Sequence, residues 1–559
     1  MRNSLKLVLI QLLPKFSATG FVAVVCLLVT DLWAAERHVP RDHVTIQQAI
    51  DASTGGDVIL VASGTYREPL ELKPNIVLRS AGGEEHGDDF GMRRAQATII
   101  DLGGKVTDAP GITMAEGSTL DGFTITGVGK YDDASWSEHH ATRGENQKHE
   151  HIGGFHGPAI GITGVSCTVM NCIVHHNGST GIAIRGVKDK TCEPLIQHNI
   201  CYRNMGGGIG AMNGCGGRIS ENRCYENFYA GIGHNGGHPA VLNNICYENI
   251  RAGIGISEGA CPVVRRNKCY RNRRAGIGAR TKETTQPLIA DNECYENGMA
   301  GIGCEEDARP TIRGNHCHHN EMAGIGARDG AAPVITGNLC EGNKLAGIGC
   351  RDGARPLIQG NTSRKNEMAG IGVRGTGTFA TIRNNRCEDN KLVAIGLPDG
   401  ASALIESNYV IRTGGVPPLV AIKGGAHATL IGNEFHGGGV ACVLVDGRAQ
   451  LIGNNLKQQG DVRGSGVWVW KESHLAAGNN TIDGFANGIN AAGTGVNLYD
   501  NMVRNFRTAI RVADSTSPAN VFGNRAEAND TTPEQAFVIR GEQGIVVGNK
   551  VMPLTADSR

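Results

Sequence analysis

A phrase of about 23 residues, in which apolar and small residues alternate with polar turns, recurs through the middle of the chain. The copy at residues 323–343 reads AGIGARDGAAPVITGNLCEGN. It has two short alternating pieces, GIGAR and PVITGN, and a third that begins at the Cys. Alternation with a period of two indicates strands, and glycine at this frequency disfavours a helix. Because one such unit cannot bury its apolar side alone, the copies are expected to stack. The pattern therefore predicts an all-β chain folded as a right-handed parallel β-helix, a solenoid. The Ala-Gly-Ile-Gly motif starts at Ala230, Ala252, Ala275, Ala300, Ala323, Ala346 and Ala369, with variants at Gly207 and Val393.

Stacking in register predicts ladders of like side chains that face the core. A slip of one residue would turn these apolar side chains to solvent, so the ladders hold the register. One predicted ladder is Ile232, Ile254, Ile277, Ile302, Ile325, Ile348 and Ile371. A second is Val241, Val264, Ile289, Ile312, Ile335 and Ile358.

Asparagine forms two further columns. Asparagine tolerates left-handed backbone, and its amide can bond its own turn and the next coil, so both columns are interpreted as structural. The first is Asn222, Asn244, Asn267, Asn292, Asn315, Asn338, Asn361 and Asn385. The second lies five residues later at Asn227, Asn249, Asn272, Asn297, Asn320, Asn343, Asn366 and Asn390.

Most of the 17 cysteines share one register, in which Ser363 takes the place of a missing copy. A slot that accepts serine indicates a small residue, so we predict a stacked ladder of buried free thiols. Disulfides and a linear metal site are the alternatives, although Cys261, Cys304 and Cys350 lie off register and weaken a zinc-type spacing. The column is Cys201, Cys224, Cys246, Cys269, Cys294, Cys317, Cys340 and Cys387.

Composition and charge narrow the class of protein. Glycine makes up 81 of 559 residues and aromatics only 5%, which suits a repeat architecture better than a conventional aromatic core. Lys plus Arg equals Asp plus Glu at 54 each, so nothing favours a nucleic-acid binder or a membrane-surface binder.

The N-terminal segment has the order of a secretory signal. Basic residues precede an apolar run at 21–30 and small residues at Ala34 and Ala35. We predict that residues 1–35 are a signal peptide and that the mature protein is secreted, periplasmic or on the cell surface. A retained N-terminal anchor is the alternative. No later stretch has the length of apolar sequence that a membrane span needs, so none is expected after signal removal.

The segment before the repeats, VTIQQAIDASTGGDVILVASGTYREPLELKPNIVLRSAGG at residues 44–83, resembles the entry segment of the pectate-lyase-like superfamily. The resemblance implies a short capping helix over Ile46 to Ala52, a Gly56-Asp57 turn, a strand leading to Gly64–Tyr66, and coils from about 38 to 552. Similar coils occur in polysaccharide lyases, glycoside hydrolases, alginate epimerases, a periplasmic copper-associated accessory protein and non-catalytic surface proteins. Fold alone does not choose among them. The polygalacturonase motif set and the Asp-Pro-His-Asp phrase of the epimerases are absent from the sequence.

The Gly-Ile-Gly strand is the first candidate site. If Ile325 faces inward, alternation turns Gly324, Gly326 and Arg328 outward. A bare glycine surface beside guanidinium groups suits an extended anionic glycan. The alternative is a solvated rim of ion pairs with neighbouring acids, among them Glu305, Glu306, Asp329 and Asp352. A lyase would also need a base, for which Lys282 and His234 are guesses. The candidate ligand-binding arginines are Arg280, Arg328, Arg351 and Arg374.

The second candidate is an insertion at residues 128–157 that interrupts the repeat. Insertions in solenoids mark loops on one side, which are often functional. A divalent metal, copper included, is one hypothesis; a polar mobile loop and a catalytic lid are the alternatives. The candidate metal ligands are His139, His140, His149, His151 and His156.

The third candidate is the pair Trp468 and Trp470, which alternation places on one side of a strand. A narrow coil has little room for two indoles, so they are expected outside as a sugar-stacking surface, with burial under a C-terminal loop as the alternative.

We divide the chain into the signal peptide (1–35), the cap and first coils (36–127), the His-rich insertion (128–157), the regular coils (158–396), and the irregular C-terminal coils and tail (397–559). The leading hypothesis is an exported protein that binds an extended extracellular polysaccharide, with lyase-like or hydrolase-like processing as an extension. A non-catalytic surface solenoid and a periplasmic copper-accessory protein stay open as alternatives.

Overall fold

The computed structural model describes residues 34–82, 92–105, 108–142, 157–529 and 531–553. Within them the chain winds as a β-helix in which each regular coil contributes three strands, and equivalent strands of successive coils pair in parallel. The predicted all-β solenoid is therefore confirmed. The predicted signal peptide lies outside the described residues, apart from its last two positions.

The first strand of a coil is the one that carries Gly-Ile-Gly. In four later coils the first and second strands continue as one long strand. The first strands are Leu70–Glu71, Ile112–Thr113, Ile160–Thr163, Ile182–Arg185, Ile209–Met212, Ile232–Asn235, Ile254–Ser257, Ile277–Ala279, Ile302–Cys304, Ile325–Ala327, Ala346–Arg351, Ala369–Arg374, Val393–Leu397, Arg463–Val469 and Asn487–Ala491. The long strands are Val420–Ile431, Gly439–Ile452, Thr508–Phe522 and Phe537–Val547.

The second and third strands follow after short turns. The second strands are Glu36–Val39, Val58–Val61, Val77–Ser80, Thr119–Asp121, Thr168–Met170, Leu195–Gln197, Arg218–Ser220, Ala240–Leu242, Val263–Arg265, Leu288–Ala290, Thr311–Arg313, Val334–Thr336, Leu357–Gln359, Phe379–Arg383, Ser402–Glu406, His474–Gly478 and Gly495–Tyr499. The third strands are Gly64–Tyr66, Thr98–Lys105, Thr124–Val128, Ile173–His175, Ile200–Tyr202, Arg223–Tyr225, Ile245–Tyr247, Lys268–Tyr270, Glu293–Tyr295, His316–His318, Leu339–Glu341, Thr362–Arg364, Arg386–Glu388, Tyr409–Ile411, Glu434–His436, Asn455–Lys457, Thr481–Asp483, Met502–Arg504, Arg525–Glu527 and Lys550–Met552.

Helices are few and short. The capping helix runs over Ile46–Ala52, as predicted, and the Thr45 hydroxyl caps it by accepting a hydrogen bond from the backbone of Gln48 at 3.2 Å. No helix in the described part of the chain is long and apolar enough to cross a lipid bilayer. The other helices are Arg93–Ala97, Asp133–Ala141 and Pro533–Ala536.

The core consists of the predicted aliphatic ladders. Ile277, Ile302 and Ile325 occupy equivalent positions in successive coils and are fully buried, and Ile289 and Ile312 do the same on the second strands. Like side chains stack on one another from coil to coil. A slip of one residue would expose them, so their burial holds the strands in register.

Both asparagine columns are hydrogen-bonded ladders, as predicted. In each step one side-chain oxygen accepts from the backbone and side-chain amides of the asparagine one coil earlier, as Asn315 does from Asn292 at 2.9 Å each. The side-chain amide also donates to a strand carbonyl, that of Ile289 for Asn315 at 3.0 Å. These buried bonds satisfy backbone groups in the turns that would otherwise have no hydrogen-bond partner. The first ladder extends from Asn199 to Asn549, and the second ends at Asn390.

The cysteine column faces the core as free thiols, which confirms the prediction for the described cysteines. Cys269, Cys294 and Cys317 are aligned across paired third strands and are fully buried. Burial raises the pKa of the Cys317 thiol well above its usual range, so this thiol is a small hydrophobe rather than a nucleophile. Cys261 is exposed.

Candidate functional site

The second glycine of each Gly-Ile-Gly motif leaves the outer surface of the first strands bare. Apart from its chain neighbours, a Cβ atom added at any of these glycines would meet no heavy atom closer than 3.5 Å, and at Gly233 or Gly278 none within 4 Å. We call this column the glycine floor. At roughly 4.8 Å per coil, its seven steps span about 34 Å. The floor consists of Gly210, Gly233, Gly255, Gly278, Gly303, Gly326, Gly349 and Gly372.

The first glycine of the motif is buried, so the prediction that Gly324 faces outward is wrong. A Cβ at Gly324 would lie 2.7 Å from the backbone oxygen of Gly347 and 2.9 Å from Nδ2 of Asn343. The strand begins only at Ile325, so Gly324 belongs to the preceding turn and the two-residue alternation does not reach it. Close stacking of the coils therefore requires glycine at these inner positions, whereas it does not require glycine at the floor positions.

Exposed apolar side chains line one long side of the floor. They come from the residue immediately before each Ala-Gly-Ile-Gly motif, and their exposed fractions are 37–44%. A continuous exposed apolar row is unusual on a soluble surface and marks a contact surface. The apolar wall, as we name it, consists of Met299, Met322, Leu345, Met368 and Leu392.

Two arginines replace the apolar residues of this wall nearer the N-terminus. Arg251 is only 6% exposed and its guanidinium lies 4.9 Å above the ring of Tyr229. Burial, followed by the charges of Arg274 and Arg280, lowers the pKa of Arg251 to about 10. Burial and the charge of Arg280 also lower the pKa of Arg274.

The charge of Arg280 thus acts on both Arg251 and Arg274. Arg251 and Arg274 precede the motif and Arg280 follows it, so they approach the floor from its two sides. We call them the arginine cluster. Sequence reasoning identified only Arg280; counting one residue back from each Ala-Gly-Ile-Gly motif would have found the other two and the apolar wall.

The other predicted arginines line the opposite side of the floor. Each is exposed and forms ion pairs with nearby acids, in the manner of the rim considered as the alternative. Such exposed pairs contribute little to stability and can exchange partners with an incoming anion. The pairs are Arg328 with Glu305 and Asp329, Arg351 with Asp352, and Arg374 with Asp399, at 2.7–3.5 Å.

The two tryptophans lie outside the coil, as predicted. Register places Trp468 in the same column as the floor, after Ala421 and Leu444, so side chains of increasing size close the groove at its C-terminal end. Trp470 is 37% exposed, packs edge-to-face against Trp468 at 6.0 Å, and has the Lys423 ammonium 5.4 Å above its ring.

The His-rich insertion contains a helix, Asp133–Ala141, where a mobile loop was one expectation. Trp136 on this helix is buried and donates to the backbone oxygen of Glu226 at 2.7 Å. His139 packs edge-to-face on Phe228 at 5.0 Å, and His140 stacks on Trp136 at 4.7 Å.

Two of the five histidines predicted as metal ligands thus contact the coils: His139 packs on Phe228, and Nε2 of His140 lies 2.7 Å from the Arg273 guanidinium. His149, His151 and His156 lie outside the described residues. A metal bound by this segment stays a prediction.

Of the two guesses for a catalytic base, His234 lies inside the coil and Lys282 lies at the surface in an ion pair. His234 is 3% exposed, faces the core, and has its pKa lowered to about 4 by burial, with Nδ1 2.9 Å from the backbone oxygen of Gly255. Lys282 forms an ion pair with Glu258 at 2.6 Å. His234 is therefore a core residue, and the guess that it acts as a base is wrong.

Several solved structures are similar to this chain at low identity. The A-module of mannuronan C-5 epimerase AlgE4 from Azotobacter vinelandii is 16% identical, with a TM-score of 0.38 over 68% of this chain and 95% of that one. The catalytic unit of a thermostable GH87 alpha-1,3-glucanase from Streptomyces thermodiastaticus is 14% identical, with a TM-score of 0.35 over 67% and 61%. The periplasmic alginate epimerase AlgG is 13% identical, with a TM-score of 0.34 over 70% and 83%.

No curated protein matches the sequence. The family model described as right handed beta helix region matches residues 141–288, 263–410 and 418–552. These matches cover most of the described coils, including the floor, both of its sides and the tryptophan pair. The chain belongs to the right-handed β-helix family.

Proposed function

We propose that the groove over the glycine floor binds an extended anionic polysaccharide. The observation that carries the proposal is a bare floor eight coils long with the arginine cluster at its N-terminal half. A polymer can lie along such a floor because no side chain crosses it, and its repeat can follow the repeat of the coils.

The arginine cluster suits a carboxylate or sulfate group. Burial, together with the positive charge of Arg280, lowers the pKa of both Arg251 and Arg274, so the charged form of these two guanidiniums is disfavoured. An anion among them would relieve that repulsion and accept paired hydrogen bonds from a planar guanidinium. An uncharged sugar would neither relieve the repulsion between the guanidiniums nor accept the same paired, charge-assisted hydrogen bonds.

The apolar wall suits the carbon-bearing faces of sugar rings. Its methionines adapt their shape to an irregular partner, and burying them against a ligand removes exposed apolar surface from water. The groove thus offers a charged contact in one half and an apolar contact in the other.

A floor variant tests the site without disturbing the core. In Gly278→Leu the new Cβ has no heavy atom within 4 Å beyond its chain neighbours, and the rest of the side chain extends into the groove, so folding is expected to be unchanged while the groove is blocked. We expect polygalacturonate and alginate to bind the wild type, and the variant to bind them about tenfold more weakly or worse, as measured by calorimetry. Gly414→Leu is the matched control, because Gly414 also faces open space but lies outside the floor. Equal binding by wild type and Gly278→Leu would contradict the proposal.

A second pair of variants tests the charge. Arg274→Gln is expected to weaken the binding of both anionic polymers and to reduce its salt dependence, because one guanidinium is lost from the cluster. Arg271→Gln, which removes an exposed arginine paired with Glu296 on another sheet, should change neither. Binding of neutral dextran as tight as that of the anionic polymers would contradict an anionic ligand.

The same mixtures separate binding from processing. A lyase would produce an unsaturated product with new ultraviolet absorbance, and a hydrolase would produce reducing ends. Binding with neither signal favours the non-catalytic solenoid. Export is part of the proposal, supported by the order of residues 1–35, and sequencing the N-terminus of the mature protein tests it.

A further inference from the structure

A stacked aromatic column runs along the outer surface of the third strands. Neighbouring ring centroids are 4.8–5.0 Å apart, which is one coil per ring. Because each face is covered by the next ring, this column is not a surface for stacking sugars. Its members are His175, Tyr202, Tyr225, Tyr247, Tyr270, Tyr295 and His318.

The column ends with a change of residue type. His318 takes the place of a tyrosine and stacks on Tyr295 at 4.9 Å. His316 lies two residues earlier on the same strand, so both rings leave the same face, with centroids 4.3 Å apart. The ring atom Nε2 of His318 is buried and makes no hydrogen bond.

A carboxylate approaches this histidine pair from the preceding coil. Glu293 pairs in register with His316, and its Oε1 lies 3.5 Å from Nε2 of His318. Its other oxygen, Oε2, is 3.0 Å from the ammonium of Lys268. Lys268 therefore orients the carboxylate and leaves Oε1 directed at the histidines.

A second carboxylate supports the pair from the following coil. Glu341 Oε1 lies 2.9 Å from Nε2 of His316, and Arg364 donates to its Oε2 at 2.6 Å. Each glutamate thus has one oxygen on a cation and the other on a histidine. Outer partners that fix the orientation of ligands in this way are typical of metal sites.

We propose that Glu293, His316 and His318 bind a divalent transition metal of the zinc or copper(II) class. One donor atom from each residue lies within 4.8 Å of the other two. Ligands around tetrahedral zinc are roughly 3.3 Å apart, so side-chain rotations close the site without moving the strands. Two imidazoles and one carboxylate favour these ions over calcium and magnesium, which prefer oxygen ligands. The site lies on a different sheet from the groove and is independent of glycan binding.

The repeat itself supplies variants that should fold. His318→Tyr restores the residue found at this position in five earlier coils, and His316→Leu copies Leu339 of the next coil. Zinc chloride, and in a parallel series copper(II) sulfate, is titrated into the full-length protein after chelator treatment, against a competing colorimetric indicator. We expect the wild type to bind one equivalent, and the double variant to bind it at least about tenfold more weakly with an unchanged melting temperature.

A control separates this site from weak binding to surface histidines. His198→Ala removes a histidine that is paired with a half-buried glutamate, Glu221, and should leave the one bound equivalent of metal unchanged. A wild type that binds no metal overturns the proposal. The proposal is also overturned if the double variant still binds one equivalent of metal with the wild-type affinity. That metal would then be bound by other residues, such as those of the His-rich insertion.

Discussion

The coils between residues 207 and 396 and those between 419 and 512 use the same strand positions for different purposes. In the first stretch the outward position of the first strand is glycine in every coil; in the second it is Ala421, Leu444, Trp468, Asn490 and Arg511. The strands pair equally well in both stretches. The fold therefore does not require glycine at this position, and the bare floor is a property of the first stretch alone.

The inner glycine behaves differently. In the first stretch a Cβ at this position would collide with the amide of the second asparagine ladder, 2.8 Å away at Gly276. That ladder ends at Asn390, and immediately afterwards the inner position becomes Ala394 and then Leu419, both buried. The run of inner glycines thus stops where the second asparagine ladder stops. Glycine returns to the inner position at Gly466 and Gly488, where a Cβ would collide with the backbone of the next coil, so close stacking of coils alone is enough to require it there.

The largest loss of stability is expected from a substitution that breaks the second asparagine ladder. Asn297→Ala removes the oxygen that accepts from the backbone and side chain of Asn272, at 3.2 and 3.0 Å, and the amide that donates to Cys269. Each buried group left without a partner costs about 1–3 kcal/mol, so a loss of about 3 kcal/mol or more is expected in urea unfolding.

An exposed asparagine of the later coils is the matched control for this change. Asn497 accepts from Asn520 at 2.7 Å, but the bond is exposed, so Asn497→Ala should cost less than about 1 kcal/mol. Equal losses in the two variants would mean that burial of the ladder is not what stabilises the regular coils.

A smaller effect is expected from the two glycines of one motif. Gly276→Ala brings a Cβ to within 2.7 Å of the Gly301 backbone oxygen and should destabilise by about 1–3 kcal/mol. Gly278→Ala, two residues on, meets nothing within 4 Å and should be neutral or slightly stabilising, because alanine restricts the unfolded chain. The difference in melting temperature between the two variants checks the distinction; a similar drop in both would mean that the floor glycines are also structural.

The sequence was enough to predict the solenoid, the capping helix and the identity of each ladder. Those features depend on one-dimensional register, which a period of about 23 residues reveals directly. Alternation failed at Gly324, because a rule that holds within a strand does not extend into the turn before it.

Features that depend on contact between coils could not be predicted in the same way. The charge of Arg280 acts on Arg251 in the preceding coil, and the cluster of Glu293 with His316 and His318 joins neighbouring coils. The stacked aromatic column was not predicted from the sequence, although a tyrosine follows the cysteine of the repeat in five coils, because the stacking depends on the spacing of the coils.

The smallest effect is expected from the arginines beside the floor. This column also changes between the two stretches, from Arg328, Arg351 and Arg374 to Lys423 and Asp446. Arg328 pairs with Glu305, and its side chain is 45% exposed, so Arg328→Ala should change the free energy of unfolding by no more than about 1 kcal/mol.

An arginine near the N-terminal cap gives the contrast. Arg94 pairs with the buried Asp121 at 2.7 Å, and Arg94→Ala removes charged hydrogen bonds from that carboxylate while Arg79 stays paired with it at 2.9 Å, so the expected cost is about 2 kcal/mol. If Arg328→Ala lowers the free energy of unfolding in urea as much as Arg94→Ala does, the arginine column is needed to stabilise the regular coils. If Arg328→Ala lowers the free energy of unfolding as little as expected, the fold does not need the arginine column, and its arginines are available for ligand binding in the groove.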